Sequence, residues 1–271
     1  MPVVSAGEVQ LSYERSGSGP PLLLIMGATG TALSWGEPFL DVLRQDFETI
    51  VYDNRGIGES SRMEEPFTTG QLGQDALGLL DALEIDSAHV LGISMGGMAA
   101  QQLALAHPER VRTLTLGCTY CGGEGSSLAS EDVMRRLAEG MASGDRERAL
   151  RTAWEVNVSA GFAADADAYA AFHARALKRA VAVPVIMAQM QAITAYETLA
   201  RLPRLTLPTL IVHGTADQML PVENAHLIAT QIPGSQLEIF DGVGHLFFWE
   251  RPERSADLIH RHAACLPTPA P

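Results

Sequence analysis

The sequence predicts an α/β fold with a mostly parallel central sheet flanked by helices. Apolar runs alternate with helical spacings along most of the chain, the rhythm of strands and helices packed in layers. Several of those runs are continuous rather than alternating, as in strands buried on both faces of a parallel sheet. A chain of 271 residues also buries roughly 70–75% of its unfolded surface, so its core needs no disulfide or metal staple.

Taken in order, residues 10–15 alternate weakly and end in Ser16-Gly-Ser-Gly-Pro-Pro21, a strong turn signal. Residues 21–26 (PLLLIM) form a buried strand that stops at Gly27. Trp35, Phe39, Leu40 and Leu43 then recur at helical spacing over residues 35–44. Residues 48–52 make the next strand, and DNRGIGESS over 53–61 is a loop. Thr68 or Thr69 caps a helix that runs to Leu83, with Leu72, Ala76, Leu79, Leu80 and Leu83 on one face. A strand over 88–93, a helix over 95–107 and a strand over 111–118 follow.

After Cys118 the rhythm changes. GGEGSS at 122–127 is a flexible lead-in, and residues 128–200 read almost wholly as helix, with many alanines and one proline, Pro184. Strands over 207–212 and 236–240 and helices over 222–231 and 253–264 restore the alternation before a frayed tail at 267–271. A buried sheet cannot absorb about 80 residues of helix without further strands, so the simplest arrangement is a lid over one end of the sheet. The expected organisation is therefore a core of residues 1–121 and 204–271 with a helical cap at 122–203. Ligands in such sheets bind beyond the carboxyl ends of the strands.

Composition narrows the function. Nineteen Lys and Arg stand against 32 Asp and Glu, a net charge of −13, with no basic block. Nucleic acid is not an expected partner, because binding phosphates needs clustered cations; the acidity serves solubility. The N-terminus has no basic stretch followed by an apolar one, and no segment reaches the ~18 apolar residues of a membrane span, so the expectation is a cytoplasmic protein without a membrane partner. Cys118-Thr-Tyr-Cys121 has CxxC spacing, but a zinc site needs a second pair and a redox motif needs the pair at a helix start. These cysteines read as small residues lining a core or pocket, and no metal is expected.

Gly92-Ile-Ser94-Met-Gly96 lies between a predicted strand and a predicted helix. That context turns a common G-x-S-x-G match into a candidate nucleophile elbow. The glycines permit a sharp turn that pushes the Ser94 hydroxyl out at the sheet top, and the Met95 amide at the helix N-terminus points where a negative oxygen could develop. The bland alternative is a serine that merely caps its helix. A serine hydroxyl attacks only when a base takes its proton. His245, in Asp241-Gly-Val-Gly-His245, follows a strand and sits in a glycine-rich turn, whereas His89 starts its strand, His213 braces a turn, and His226, His260 and His262 fall on surface helix faces. Asp217, just past the 207–212 strand, is the carboxylate expected to orient the ring. Asp241 suits a capping role in its own turn, and Glu124 is the runner-up.

On these motifs, with Pro20-Pro-Leu-Leu-Leu-Ile-Met-Gly27, Asp53-Asn-Arg55-Gly-Ile-Gly58-Glu-Ser60, Ala106-His-Pro-Glu-Arg-Val111, His213-Gly-Thr-Ala-Asp217 and Gly244-His245, the chain resembles the α/β-hydrolase superfamily along essentially its whole length. Within it the likeness is to small capped esterases and lactonases, such as aclacinomycin methylesterase-like and 3-oxoadipate enol-lactonase-like enzymes. The order nucleophile, acid, histidine agrees. The resemblance implies an α/β-hydrolase fold with a helical cap after the sixth strand, and a second oxyanion donor in the amide of Ala28. It implies a structural role for Arg55, anchoring its loop through ion pairs. One departure is that Met26-Gly27-Ala28 stands where the family usually has His-Gly, which removes a bracing side chain; Trp35 stands where the family often has a tryptophan.

The expected chemistry is acyl transfer through Ser94, His245 and Asp217, with no cofactor, on a small-to-medium carboxylic ester or lactone; a homodimer is compatible with it. Met187 and Met190 in the cap, Trp35, and Phe247 beside His245 are candidate pocket residues, although packing of cap onto core explains the cap methionines equally well. Ser94 argues against the aspartate-nucleophile dehalogenases and epoxide hydrolases of this fold. Carbon–carbon bond hydrolysis and cofactor-free perhydrolysis use the same triad, and a non-catalytic ligand receptor on this fold is the reading from another class.

Overall fold

In the computed structural model, which describes residues 1–62 and 65–265, the apolar runs form the middle of an eight-stranded sheet. Strands β1 (Val3–Ala6) and β2 (Val9–Gly17) make an antiparallel hairpin through Gly7, at φ 67°. They are followed by β3 (Pro21–Ile25), β4 (Glu48–Tyr52), β5 (Ala88–Ile93), β6 (Val111–Gly117), β7 (Thr209–Gly214) and β8 (Gln236–Phe240). The order across the sheet is β1-β2-β4-β3-β5-β6-β7-β8, and every pairing from β4 to β8 is parallel. These strands therefore all deliver their following loops to one edge.

Alternation within the buried runs divides the core in two. Leu23, Ile25, Val90, Leu114 and Ile211 face one side, where α2 (Thr69–Ala82), α3 (Met95–Ala106) and α9 (Glu223–Gln231) pack. Leu22, Leu24, Leu91, Ile93 and Val212 face the other, against α1 (Glu37–Leu43) and α11 (Pro252–Ala264). The sheet is thus covered on both faces, which is why its central strands need no polar alternation. Thr68 caps α2 in a reciprocal pair with Gln71. Between β6 and β7 lie α4 (Glu131–Ala142), α5 (Arg146–Asn157), α6 (Ala160–Ala163), α7 (Ala166–Lys178) and α8 (Val183–Thr194). Ser130, Asp145, Ser159 and Asp165 start the first four of these with side-chain caps. Trp154 and Tyr169 centre a small aromatic cluster of the insertion that also takes in Trp249 of the core.

Several boundaries differ from the sequence reading for local reasons. The helix expected over 35–44 is a 3-10 turn, Ala32–Trp35, followed by α1; Gly36, at φ 78°, breaks them apart. The strand expected from Leu207 begins at Thr209, beyond Pro208. A short helix, α10 (Phe247–Glu250), occupies the turn after His245. His262 is buried rather than on a surface face, and burial pushes its pKa down. The tail expected at 267–271 lies outside the described residues. Among the described residues no helix is long and apolar enough to cross a membrane.

Candidate active site

The loops that leave β3, β5, β6, β7 and β8 at the common edge carry the candidate residues. Four non-glycine residues have positive φ: Thr29, Glu84, Ser94 and Cys118. Glu84 ends a helix, while the other three follow β3, β5 and β6. Backbone strain of this kind costs of order 1–3 kcal/mol per residue and clusters where geometry serves function.

Ser94 sits at φ 56° and ψ −124° between β5 and α3, at the N-cap position, yet its hydroxyl caps nothing. Its backbone is pinned instead. The amide donates to the Gly117 carbonyl (3.0 Å), and its carbonyl accepts from the Thr119 hydroxyl (2.7 Å). The surrounding glycines are required by close approach. A Cβ on Gly92 would lie 2.4 Å from the Gly96 carbonyl oxygen, and one on Gly96 would lie 2.0 Å from that of Ile25. Gly97, which the motif does not single out, is equally tight: a Cβ there would meet the Thr119 hydroxyl at 2.5 Å. A Cβ on Gly27 would touch the Ser94 side chain, at 2.9 Å from its Cβ. The loop carrying Ala28 therefore begins directly against the Ser94 hydroxymethyl group.

Asp217 and His245 meet: Nδ1 of the ring lies 2.7 Å from Oδ2. The other carboxylate oxygen accepts the amides of Met219 (2.8 Å) and Leu220 (2.9 Å), which closes the turn after β7 and fixes the carboxylate's orientation. His213 approaches Oδ2 to 3.1 Å with the same Nε2 that bonds the Leu220 carbonyl at 2.8 Å. A carbonyl only accepts, so this Nε2 carries the proton and donates to both. Burial would raise the Asp217 pKa. The charge of His245 and the hydrogen bonds from His213 and His245 overcome it and hold the carboxyl well below the usual carboxylate range. Asp241 accepts from the Thr215 hydroxyl at 3.2 Å, and Glu124 is exposed.

His245 is held from both sides. The Gly244 amide donates to the buried Glu250 carboxylate (2.8 Å), and the Leu246 amide donates to the Asn157 carbonyl (2.9 Å). A Cβ on Gly244 would collide with the Val158 backbone at 2.5 Å, which explains the glycine before the histidine. No hydrogen bond joins the Ser94 hydroxyl to His245 among the described residues. The two are nonetheless linked through β6: Ser94 bonds Gly117, and Cys118, the next residue, has its sulfur within 4.8 Å of the Asp217 and His245 ligand atoms. Those three side chains have a metal-like spacing, but burial and then the Asp217 charge push the Cys118 thiol well up. A metal takes a thiolate, so this thiol fits the role of a neutral neighbour better than that of a ligand.

The Met95 amide starts α3 beside Ser94, and Ala28 is half-buried at the end of β3. Trp35 is fully buried and packs on Phe248 with ring centroids 5.0 Å apart. Phe247 is also core, filling the space above Gly117. Met187 is 60% exposed and lines a groove along α8 with Pro66, Pro184, Met190, Gln191 and Thr194. None of Ser94, Asp217 or His245 lines that groove.

Three side-chain contacts escaped the sequence reading. Glu250, buried, also accepts from the Ser159 amide (2.8 Å) and hydroxyl (2.5 Å). Asp53, at the end of β4, accepts the Ala32 amide (2.8 Å) and pairs with Arg179 from the insertion. Gln189, fully buried on α8, accepts the Thr29 amide at 2.9 Å. Their partners lie 91, 126 and 160 residues away, so no local pattern announces them. Arg55 makes the expected structural pair, a two-pronged contact with Asp75 at 2.7 and 2.6 Å.

Among known proteins, a poly(3-hydroxyalkanoate) depolymerase of Ectopseudomonas oleovorans is 31% identical, over 88% of this chain and 82% of its own. The rhodomycin D methylesterase DnrP of Streptomyces peucetius is 30% identical, over 90% of this chain and 91% of its own. A crystal structure of a hydrolase from Pseudomonas aeruginosa PA01 superposes with a TM-score of 0.82 at 28% identity, over 96% of this chain and 97% of that one. The family described as the alpha/beta hydrolase fold matches residues 20–252, and the chain belongs to it.

Proposed function

We propose that this protein is a serine hydrolase of carboxylic esters or lactones, with Ser94 as nucleophile, His245 as base and Asp217 as the residue that orients and charges the ring. The reading rests above all on the buried 2.7 Å contact between Asp217 and His245 Nδ1 at the strand edge that also carries Ser94 in its strained turn. The rhodomycin D methylesterase among its relatives supports the same bond type.

In the proposed cycle His245 Nε2 takes the Ser94 proton as Oγ bonds to the acyl carbon. The carbonyl oxygen becomes an oxyanion between the amides of Met95 and Ala28. Asp217, ionised far below neutral pH, stabilises the imidazolium. Collapse breaks the bond to the alkoxide, which leaves with the proton from His245. Water then adds to the acyl-enzyme, giving its proton to the same ring, and Ser94 recovers a proton as the acid departs. Residues 122–203 act as a cap over this edge, since Arg179, Gln189 and Ser159 of that stretch contact Asp53, Thr29 and Glu250.

The test is hydrolysis of p-nitrophenyl esters of increasing acyl length by wild type and Ser94→Ala, with labelling by a fluorophosphonate. Short chains are expected to turn over best, with covalent label on Ser94 and a fall of about 10⁴-fold or more in the variant. Full activity in Ser94→Ala, or a label elsewhere, rejects the assignment.

A further inference from the structure

Gln189 has half of its amide in use. Oε1 accepts the Thr29 amide at 2.9 Å, so the orientation of the side chain is set by that donor. Nε2 therefore carries two donor hydrogens, and among the described residues it has no hydrogen-bond partner although Gln189 is fully buried. Buried amide donors are rarely left in this state, because water released from them is not replaced. The neighbouring positions on α8 that face inward, Val185, Ala188 and Ala192, are apolar, and nothing in packing alone calls for a glutamine among them.

The location gives the free donor a purpose. Thr29 is the β-branched residue held at φ 60° next to Ala28. Two residues earlier, a Cβ on Gly27 would meet the Ser94 side chain at 2.9 Å, so the loop passes close to it. The two ends of a carboxamide share one carbon, so Nε2 lies beside the same loop, between it and α8. Ala28, the proposed second oxyanion donor, stands between Gly27 and Thr29, so an acyl group on Ser94 with its oxygen on that amide would lie close to the turn that Gln189 grips.

We propose that Gln189 is a specificity-determining residue: Oε1 holds the Thr29 turn, and Nε2 donates to an oxygen that the substrate's acyl part carries a few bonds from the scissile carbonyl. This rests on the hydrolase reading above. The substrate class it selects is an oxo-, hydroxy- or alkoxyacyl ester or the corresponding lactone, rather than a plain alkanoyl ester.

The experiment measures kcat/KM on two matched pairs, p-nitrophenyl methoxyacetate against butyrate and levulinate against pentanoate, for wild type, Gln189→Met and Gln189→Glu. Dividing each variant's ratio by that of wild type cancels the intrinsic reactivity of the esters. In Gln189→Met the preference for the oxygen-bearing acyl group is expected to fall about 10- to 100-fold in at least one pair, the loss of one buried hydrogen bond. Gln189→Glu, assayed at pH 8.5, keeps an acceptor for the Thr29 amide but lacks the donor. It should retain butyrate turnover better than Gln189→Met while losing the same preference, which also serves if the methionine variant folds poorly. Ratios within twofold of wild type in both pairs and both variants overturn the proposal and leave the hydrolase reading standing. Wild type inactive on all four esters and unlabelled by fluorophosphonate overturns both.

Discussion

Replacing Gly96 by alanine isolates the steric logic of the elbow. Gly96 is not one of the left-handed glycines, so the cost is contact alone. The added Cβ would lie 2.0 Å from the Ile25 carbonyl oxygen, 2.6 Å from its carbon and 2.8 Å from the Met26 oxygen. All three are backbone atoms, which cannot rotate away. Ordinary contact requires about 3.5 Å, so the start of α3 and the end of β3 must part by more than about 1 Å. Both pieces carry proposed oxyanion donors, Met95 on one and Ala28 on the other. A displacement of that size costs on the order of 100-fold in rate, and overpacking of the core costs about 1–3 kcal/mol of stability. For a chain of this length the second figure lowers Tm by roughly 2–5 °C. The assay is kcat/KM on p-nitrophenyl acetate beside a thermal melt. Gly161→Ala provides the control, since a Cβ in that helix meets nothing within 4 Å; it should keep full activity and melt at or slightly above wild type. A Gly96→Ala protein with activity within twofold of wild type and an unchanged Tm would refute the reasoning.

Two further substitutions test the electrostatics. Asp217→Asn keeps an acceptor for the Met219 and Leu220 amides, so the fold should melt within a few degrees of wild type, but kcat should fall about 10³- to 10⁴-fold because the ring loses its charged partner and its tautomer; a fall under tenfold counts against the triad. His89 hydrogen-bonds Thr113 at 2.9 Å and is pushed down to about 4 by burial, then by Arg112 and His262. Its folded pKa lies below the unfolded value near 6.5, so the stabilising contribution is complete above pH 6.5 and lost as pH falls toward 4. Allowing for partial screening, that loss is of order 2 kcal/mol, and in His89→Gln the denaturant-measured stability should decline less steeply over that window.

The strand edges and the catalytic candidates were legible for different reasons. Residues 21–26, 48–52 and 88–93 are buried on both faces, so hydrophobic runs alone disclose them. The elbow is legible because close approach forbids side chains at Gly92 and Gly96, and that leaves a trace in residue type. Strand β1 gives no sequence signal because its four residues, VVSA at the sheet edge, are too few to show a period. The break at Gly36 was missed because Trp35 and Phe39 sit in one aromatic cluster on either side of it and imitate a single helical face. Trp35 and Phe247, the expected pocket residues of the core, lie in the buried cluster on the α1 and α11 side of the sheet. Gln189, Arg179 and Glu250 act through partners on distant loops, and a lone polar residue in a helix pattern gives no sign of whether it is buried.

Those three residues change what the helical insertion does. Three loops of the site are tied across the insertion boundary: Thr29 to Gln189, Asp53 to Arg179, and the histidine loop through Leu246 to Asn157 and Glu250 to Ser159. The loop after β3 is the one where Met26 replaces the family's usual histidine, and it is also the one that Gln189 grips. A bracing side chain lost within the loop is thus matched by one supplied from above it. Burial raises the Asp53 pKa, and the Ala32 amide and Arg179 oppose that shift, so the carboxylate at the end of β4 depends in part on a cation from the insertion to stay charged. A cap that only shielded substrate could lift away without altering the loops beneath it. If residues 122–203 act as the proposed cap, they also supply hydrogen bonds to those loops, and their opening would loosen the proposed oxyanion loop and the His245 loop together.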